Sequence, residues 1–374
     1  MEDPAQAWNA LTVGAYTELV DVPADGSFSD WEPVAPRGEL SPHSRTSILF
    51  GSAWPLKPDI VLEGGNLLQD PAKTFRGDDD SVNLLTTDRL GGFTVANATS
   101  AATAQASRLA ALAMARYPDW WPESIRGLLV HSAEWTEPMR ERILPNRFKK
   151  EQRVAMLRRY GWGVPTKERV LASARSDVTM LIQDEFQPFE RKKSNVSMRS
   201  ARIHVLPWPR EQLLQLGEAD VRMRITLSYF VEPNPSSLGW DVRYRYPSYQ
   251  LRFDVKRPQE TLDEFRARVS SEAQLEEENR APAAPDKRNW LIGPLGRHKG
   301  SLHADIWTGS AAELAACGAI AVVPVGGWWK DNKRKDRAEM PVRYSLLVSL
   351  ASTVPIDIYT PITIQAGIPI QIST

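Results

Sequence analysis

The sequence predicts an α/β first half, a partial parallel sheet with helices, followed by a β-rich half built like a sandwich. Three observations carry that reading. Short apolar runs bounded by Gly or Pro occur early in the chain, as buried strands of a parallel sheet require. Long stretches with helical spacing follow them. After about residue 185 the pattern changes to segments in which every second residue is apolar. A chain of 374 residues has room for two domains, and the change of pattern divides it at 1–185 and 186–374.

The first predicted strands are Ala10 to Ala15 and Asp59 to Leu62. A helix is predicted from Ser100 to Tyr117, stopped by Pro118 and Asp119. Its inward stripe is Ala102, Ala106, Leu109, Ala110, Ala113 and Tyr117. A second helix starts near Pro122, a residue favoured in a first helical turn, and carries Ile125, Leu128 and Leu129. A third, basic and amphipathic, covers Lys149 to Arg159 and ends before Gly161-Trp162-Gly163; a fourth runs from Thr166 to Ala174. The polar, basic stretch Phe189 to Asn195 reads as a linker. Beyond it, strands are predicted at 201–205, 221–230, 249–255, 301–307, 319–323, 343–350 and 356–362. In Val221 to Leu227 the strict alternation predicts one wet face. One charged helix, Thr261 to Glu278, interrupts this half, and Arg280 to Pro285 returns the chain.

Composition narrows the function. Hydrophobic residues at 42% and charged residues at 25% exclude a wholly disordered chain. Lys+Arg and Asp+Glu balance at 46 each, so nothing in the overall charge points to nucleic acid or an anionic membrane. No apolar run approaches the roughly 18 residues that span a bilayer. The first residues carry neither a basic region nor an apolar signal segment, and the expectation is a soluble, cytoplasmic protein. The single cysteine, Cys317, excludes an internal disulfide and a thiolate-rich metal site. Phosphate-binding, dinucleotide-binding and zinc signatures do not occur, so no cofactor is expected.

The stretch with most chemistry in it is Asn97-Ala98-Thr99-Ser100-Ala101-Ala102-Thr103-Ala104, which opens the Ala-rich helix. A serine in a first turn sits at the positive end of the helix dipole, among N–H groups that lack helical partners. Such an N–H can stabilise an oxyanion forming beside the hydroxyl. The alternative is that Thr99 or Ser100 caps the helix.

Asn97-Ala98-Thr99-Ser100 resembles the Asn-Gly-Thr-Ser segment around the nucleophile of subtilisin-like serine peptidases (subtilases). Three more stretches resemble that family in order. These are Ala10 to Ala15, which ends in Val-Gly-Ala; Lys57-Pro58-Asp59-Ile60-Val61 with Gly64-Gly65 after it; and Tyr160-Gly161-Trp162-Gly163-Val164. The resemblance implies that Ser100 is the acyl-forming nucleophile of an endopeptidase. Its substrate is then a peptide bond of a protein laid as an extended strand beside the sheet. It covers about half of the chain; the second half resembles the β-rich extensions of many subtilases.

Two departures are local: Ala98 replaces the family's glycine, and Ala104 stands where a proline is usual. The larger departure is that the family's Asp-Ser-Gly or Asp-Thr-Gly and His-Gly-Thr motifs do not occur before Ser100. The expectation is therefore a chain inert by itself, with its Asp and His on an upstream segment or a second polypeptide. The other reading is a non-catalytic pseudo-peptidase or interaction module. Among the histidines, His43 reads as an exposed loop residue, His131 as satisfying a helix end, and His204, His298 and His303 as structural. Asp78-Asp79-Asp80 reads as a solvated loop, with structural calcium as the alternative. Trp328 to Lys335 reads as a hairpin loop, with stacking on sugar or single-stranded nucleic acid as the alternative.

Overall fold

Strand β1 (Val13–Thr17) opens a region that continues with β2 (Glu32–Pro33), β3 (Glu39–Leu40), β4 (Ile60–Glu63), β5 (Leu68–Gln69), β6 (Arg76–Gly77), β7 (Leu84–Thr87) and β8 (Phe93–Ala96). Helices α1 (Ala98–Arg116), α2 (Pro122–His131), α3 (Glu137–Ile143), α4 (Lys150–Tyr160) and α5 (Lys167–Ala172) follow. The computed structural model describes the chain apart from residues 1–3, 52–53, 145–147, 173–177, 194, 236–245, 278–285, 287, 335, 353–369 and 374. It divides into two units, Met1–Trp120 with Leu128–Ala172, and Trp121–Gly127 with Ser173–Thr374. This division falls at 172/173, ahead of the change of sequence pattern at 185/186, and gives the start of α2 to the second unit.

In the first unit β1 pairs parallel with β4, Val13 opposite Ile60, and antiparallel with β3. Ile60, Val61 and Leu62 are all buried, as a strand covered on both faces must be. Helix α1 packs on β1 and β4 through Ala102, Ala106, Leu109 and Ala113, while Ala110 lies half-buried at the edge of the expected stripe. Alanine favours the helix and lets its axis approach the sheet closely. Helices α2, α4 and α5 fall where the spacing predicts them; α3 is an addition, with Met139 and Ile143 buried four residues apart.

The second unit contains β9 (Val178–Phe186), β10 (Phe189–Lys192), β11 (Asn195–Met198), β12 (Ser200–Val205), α6 (Arg210–Leu216), β13 (Asp220–Tyr229), β14 (Gln250–Val255), α7 (Leu262–Glu277) and α8 (Gly293–Arg297). It ends with β15 (Leu302–Ser310), α9 (Ala311–Ala315), β16 (Ala319–Val325), α10 (Trp328–Asp331), β17 (Val342–Ser352) and β18 (Ile370–Ser373). Two four-stranded sheets organise it, ordered β14-β16-β12-β18 and β15-β13-β17-β9, and every pairing within them is antiparallel. Helix α7 lies on the first sheet, where Phe265 and Val269 meet Ala201, Ile203, Ala319 and Ala321.

Three expectations are corrected here. Phe189 to Asn195 is not a linker: β10 and β11 form a hairpin around it, with Phe189 wholly buried and the charges outward. The outer face of β13 is not wet, because Arg224, Thr226 and Ser228 are all buried. There the start of α2 closes over the sheet: Arg126 donates to Ser228 Oγ (3.1 Å) and to the Tyr229 and Ser301 carbonyls (2.6 Å each). Trp328 to Lys335 is not a hairpin loop, since α10 buries both indoles, and their Nε1 groups donate to the carbonyl and carboxylate of Glu232. The strand expected at 356–362 and the return at 280–285 lie outside the described residues, apart from the nearby β18.

Candidate active site

The four family-like stretches converge in the first unit, and in each the residue type follows from what its backbone must approach. A Cβ on Gly14 would stand 2.9 Å from Pro58 Cγ and 3.1 Å from Val61 Cγ1, so the Val-Gly-Ala strand can lie against the Lys-Pro-Asp strand only with glycine there. Lys57 and Asp59 lock the same pair of strands. Lys57 Nζ is 2.7 Å from Asp59 Oδ2 and donates to the Ala10 carbonyl at 2.8 Å, and the same carboxylate accepts the Thr12 N–H at 2.7 Å. Both side chains are buried, so neither could lose its partner without stranding a charge. Gly161-Trp162-Gly163 runs along the other side of β4: Trp162 N–H donates to Asp59 O, and Val61 N–H donates to Gly163 O. Both glycines have positive φ, and a Cβ on either would overlap backbone, of Asp59 or of Glu134.

This frame carries Ser100. Past β4 the chain turns at Gly64-Gly65, and the Ala98 N–H donates to the Gly64 carbonyl at 2.7 Å, hanging the amino end of α1 on that turn. A Cβ on Gly64 would meet Ala15 Cβ at 2.4 Å and Ala98 O at 3.1 Å; Gly65 has φ +79° and is crowded by Val82, Asn83 and Asn97. Gln105 Nε2 donates to the Glu63 carbonyl at 2.7 Å, about two turns beyond Ala98 along the helix. Glu63 itself braces the turn, its carboxylate accepting the N–H groups of Gly65 (2.8 Å) and Glu18 (2.6 Å). Burial, with the charges of Glu18 and Glu63, raises the Tyr16 phenol and keeps it neutral.

Thr99 and Ser100 lie inside α1; the cap position is Asn97, whose side chain makes no capping bond. Ser100 is exposed, in the first turn of a helix that packs on the sheet, and its hydroxyl has no hydrogen-bond partner among the described residues. Ala98 stands at φ +64°, the left-handed region that suits glycine and strains an L side chain. The family's glycine at this position therefore answers a backbone need as well as a close approach, a signal that composition could not reveal.

Asp78 accepts from Asn83 Nδ2 (2.7 Å) and Asn97 Nδ2 (3.4 Å), and Asp79 caps the short turn Asp80–Val82 through the Ser81 N–H. The acidic cluster thus ties the loop to the residue before Ala98. Among the described residues no group of three His, Cys, Asp or Glu is arranged to hold a metal ion. His43 is half-buried rather than exposed, its Nε2 3.4 Å from the Asn66 carbonyl, beside the Gly64-Gly65 turn. His131 is buried at the end of α2. His204 meets Tyr344 OH at 2.5 Å and His303 meets the Gly300 carbonyl at 2.9 Å, both in the second unit. None of the histidines is hydrogen-bonded to Ser100. The helix start offers N–H groups of the kind that stabilise an oxyanion, while among the described residues the hydroxyl has no proton acceptor within hydrogen-bond reach.

Residues 1–163 match the model of the subtilase family. This part of the chain is subtilisin-like. An uncharacterized protein of Sinorhizobium fredii, y4bN, is 28% identical over 241 residues, a span that takes in 61% of this chain and 50% of that protein. The chain therefore spans about half the length of this curated relative, and the shared sequence is longer than the subtilisin-like region. Among the described residues no helix is long and apolar enough to cross a membrane.

Proposed function

We propose that the chain contributes the nucleophile of a subtilisin-like serine endopeptidase. Ser100 Oγ attacks the scissile carbonyl of a protein substrate, and N–H groups of the α1 start help to hold the oxyanion. The proton acceptor and the carboxylate that orients it come from residues outside those described, on an upstream segment or a separate polypeptide. The observation that carries this reading is the Ala98-to-Gly64 bond, which fixes an exposed, unpartnered serine at the amino end of the helix packed on the sheet. The second unit, with its two antiparallel sheets, is read as a sandwich-like extension.

Loss of serine or histidine from a Ser-His-Asp unit costs about 10⁶ in turnover. The chain alone should therefore be inert, and a fluorophosphonate probe should label it no faster than Ser100→Ala. Adding a polypeptide that carries the missing Asp and His elements should restore labelling of the wild type only. Ser100-dependent labelling of the chain alone would remove the need for an outside base. The unpartnered hydroxyl also supports a second reading, a pseudo-peptidase that binds without cutting. Failure of every such complement to restore labelling would favour it.

A further inference from the structure

A cleft of about 480 Å³ opens in the second unit, between the start of α2, the stretch after β13, α10 and the start of β17. That volume falls in the range of small-molecule and side-chain pockets. Aromatic rings form its apolar surface. Tyr249 and Trp329 lie 5.3 Å apart and tilted, and both are buried at their polar ends: the Tyr249 hydroxyl donates to the Phe230 carbonyl and Trp329 Nε1 donates to Glu232 at 2.8 Å. With those ends tied, what Tyr249 and Trp329 add to the lining is apolar ring surface rather than polar atoms. Phe230 already has one cation against it, the Arg126 guanidinium at 4.4 Å.

The charges of the cleft do not cancel. Its lining holds the carboxylates Glu123, Glu185 and Glu232 and the guanidiniums Arg337 and Arg343. Glu232 is met by Arg337 at 3.3 Å and by the Trp329 indole. Glu123 is different. It is 3% exposed, its Oε2 is buried with no hydrogen-bond partner among the described residues, and its ion pair with one of them is a loose contact of 3.5 Å from Oε1 to Arg343. Arg343 is 44% exposed and stacks on Trp121, so water shares its charge. A buried carboxylate oxygen left without a donor costs free energy that an incoming N–H cation would recover. Aromatic faces beside such a carboxylate select a cation on an apolar stem.

We infer that this cleft binds an alkylammonium or alkylguanidinium group, borne either on a Lys or Arg side chain of a polypeptide or on a free amine. The inference does not rest on the peptidase reading and uses none of its residues. Calorimetric titration of the full chain with Nα-acetyl-arginine methylamide and Nα-acetyl-lysine methylamide, against the neutral citrulline analogue, tests it directly. Butylamine and agmatine form the free-amine arm. Saturable binding of the cations, with the citrulline analogue at least about tenfold weaker, is the expected result, the size of a lost charged hydrogen bond. Blocked amino acids binding more tightly than the free amines would assign a polypeptide source, and the reverse order a free amine. Glu123→Gln should weaken cation binding about tenfold, and the exposed Glu185→Gln a few-fold. Arg343→Gln, which frees Glu123 of its competing cation, should strengthen it a few-fold, a change of sign that general damage would not produce. Equal binding of the arginine and citrulline compounds, no saturable binding at millimolar concentration, or weaker binding by Arg343→Gln would each overturn the inference.

Discussion

The two units solve the problem of a dense interior in opposite ways. The subtilisin-like unit fits by omission: Gly14, Gly64, Gly161 and Gly163 are places where a methyl group would collide with a neighbouring stretch of chain, and backbone bonds pass through the gaps. The second unit fits by inclusion, burying many charged and polar side chains; most are bonded within it, while Glu123 Oε2 has no donor among the described residues. Arg297 and Asp305 are the clearest pair, 1% and 0% exposed. The Asp305 carboxylate also accepts the N–H groups of Ile292, Gly293 and Ile306. The contrast teaches where damage should tell most: in the first unit at its glycine contacts, beside the one buried pair Lys57–Asp59 already described, and in the second at its buried charges and its proton count.

Asp305→Ala should break that rule most severely. It strands the Arg297 guanidinium in the interior, and a loss of about 3–5 kcal/mol in urea unfolding is expected, confined to the transition of the second unit. Gly163→Ala is the matching insult to the first unit. It adds a Cβ 2.4 Å from the Glu134 backbone at φ +97° and should cost about 3 kcal/mol in the same measurement. A similar loss from Gly26→Ala, where the added atom meets nothing, would show that conformation and not collision sets the cost.

Acid should separate the units more gently. Burial holds His204 down to about 4 and His303 to about 3, against 6.5 for a free imidazole. These rings stay neutral in the fold but protonate once the chain unfolds, so the unfolded state binds more protons below pH 6.5. Their contribution is whole above that value and falls as pH drops towards 4, by at most about 1.4 kcal/mol per pH unit for each ring. Thermal unfolding between pH 7 and 4.5 should show this slope, and His204→Gln should flatten it; an unchanged slope would exclude His204 as a source. The smallest effect belongs to Ala98→Gly, which relieves a left-handed alanine and should raise stability by about 1 kcal/mol.

Much of the first unit was legible in the sequence because its signals are local. The stripe Ala102, Ala106, Leu109 and Ala113 marks its own helix, and Asn97 to Ser100 marks its own turn. Helix α3 escaped because Met139 and Ile143 alone span a single turn, too short for a period to show. The β10–β11 hairpin escaped because Phe189 is the one inward residue in a run of charges. Trp328 and Trp329 were misjudged for a different reason: the group that accepts from their buried indoles is Glu232, 96 and 97 residues away. The same distance hides the cation cleft, whose Glu123, Tyr249 and Trp329 come from three separated stretches. The left-handed backbone at Ala98 had one signal, the glycine that the resembled family carries there, since nothing about an alanine by itself announces it.

The bond from Ala98 to Gly64 joins main chain to main chain, and this has a practical side. Replacing side chains one at a time leaves such an anchor untouched, so an alanine scan would report only the side-chain braces around it, Glu63, Asn97 and Gln105. Shortening the stretch between Gly65 and Asn97 by one residue would instead pull the hydroxyl off its mark while keeping every neighbouring side chain. For this turn, loop length is the coordinate that engineers should vary.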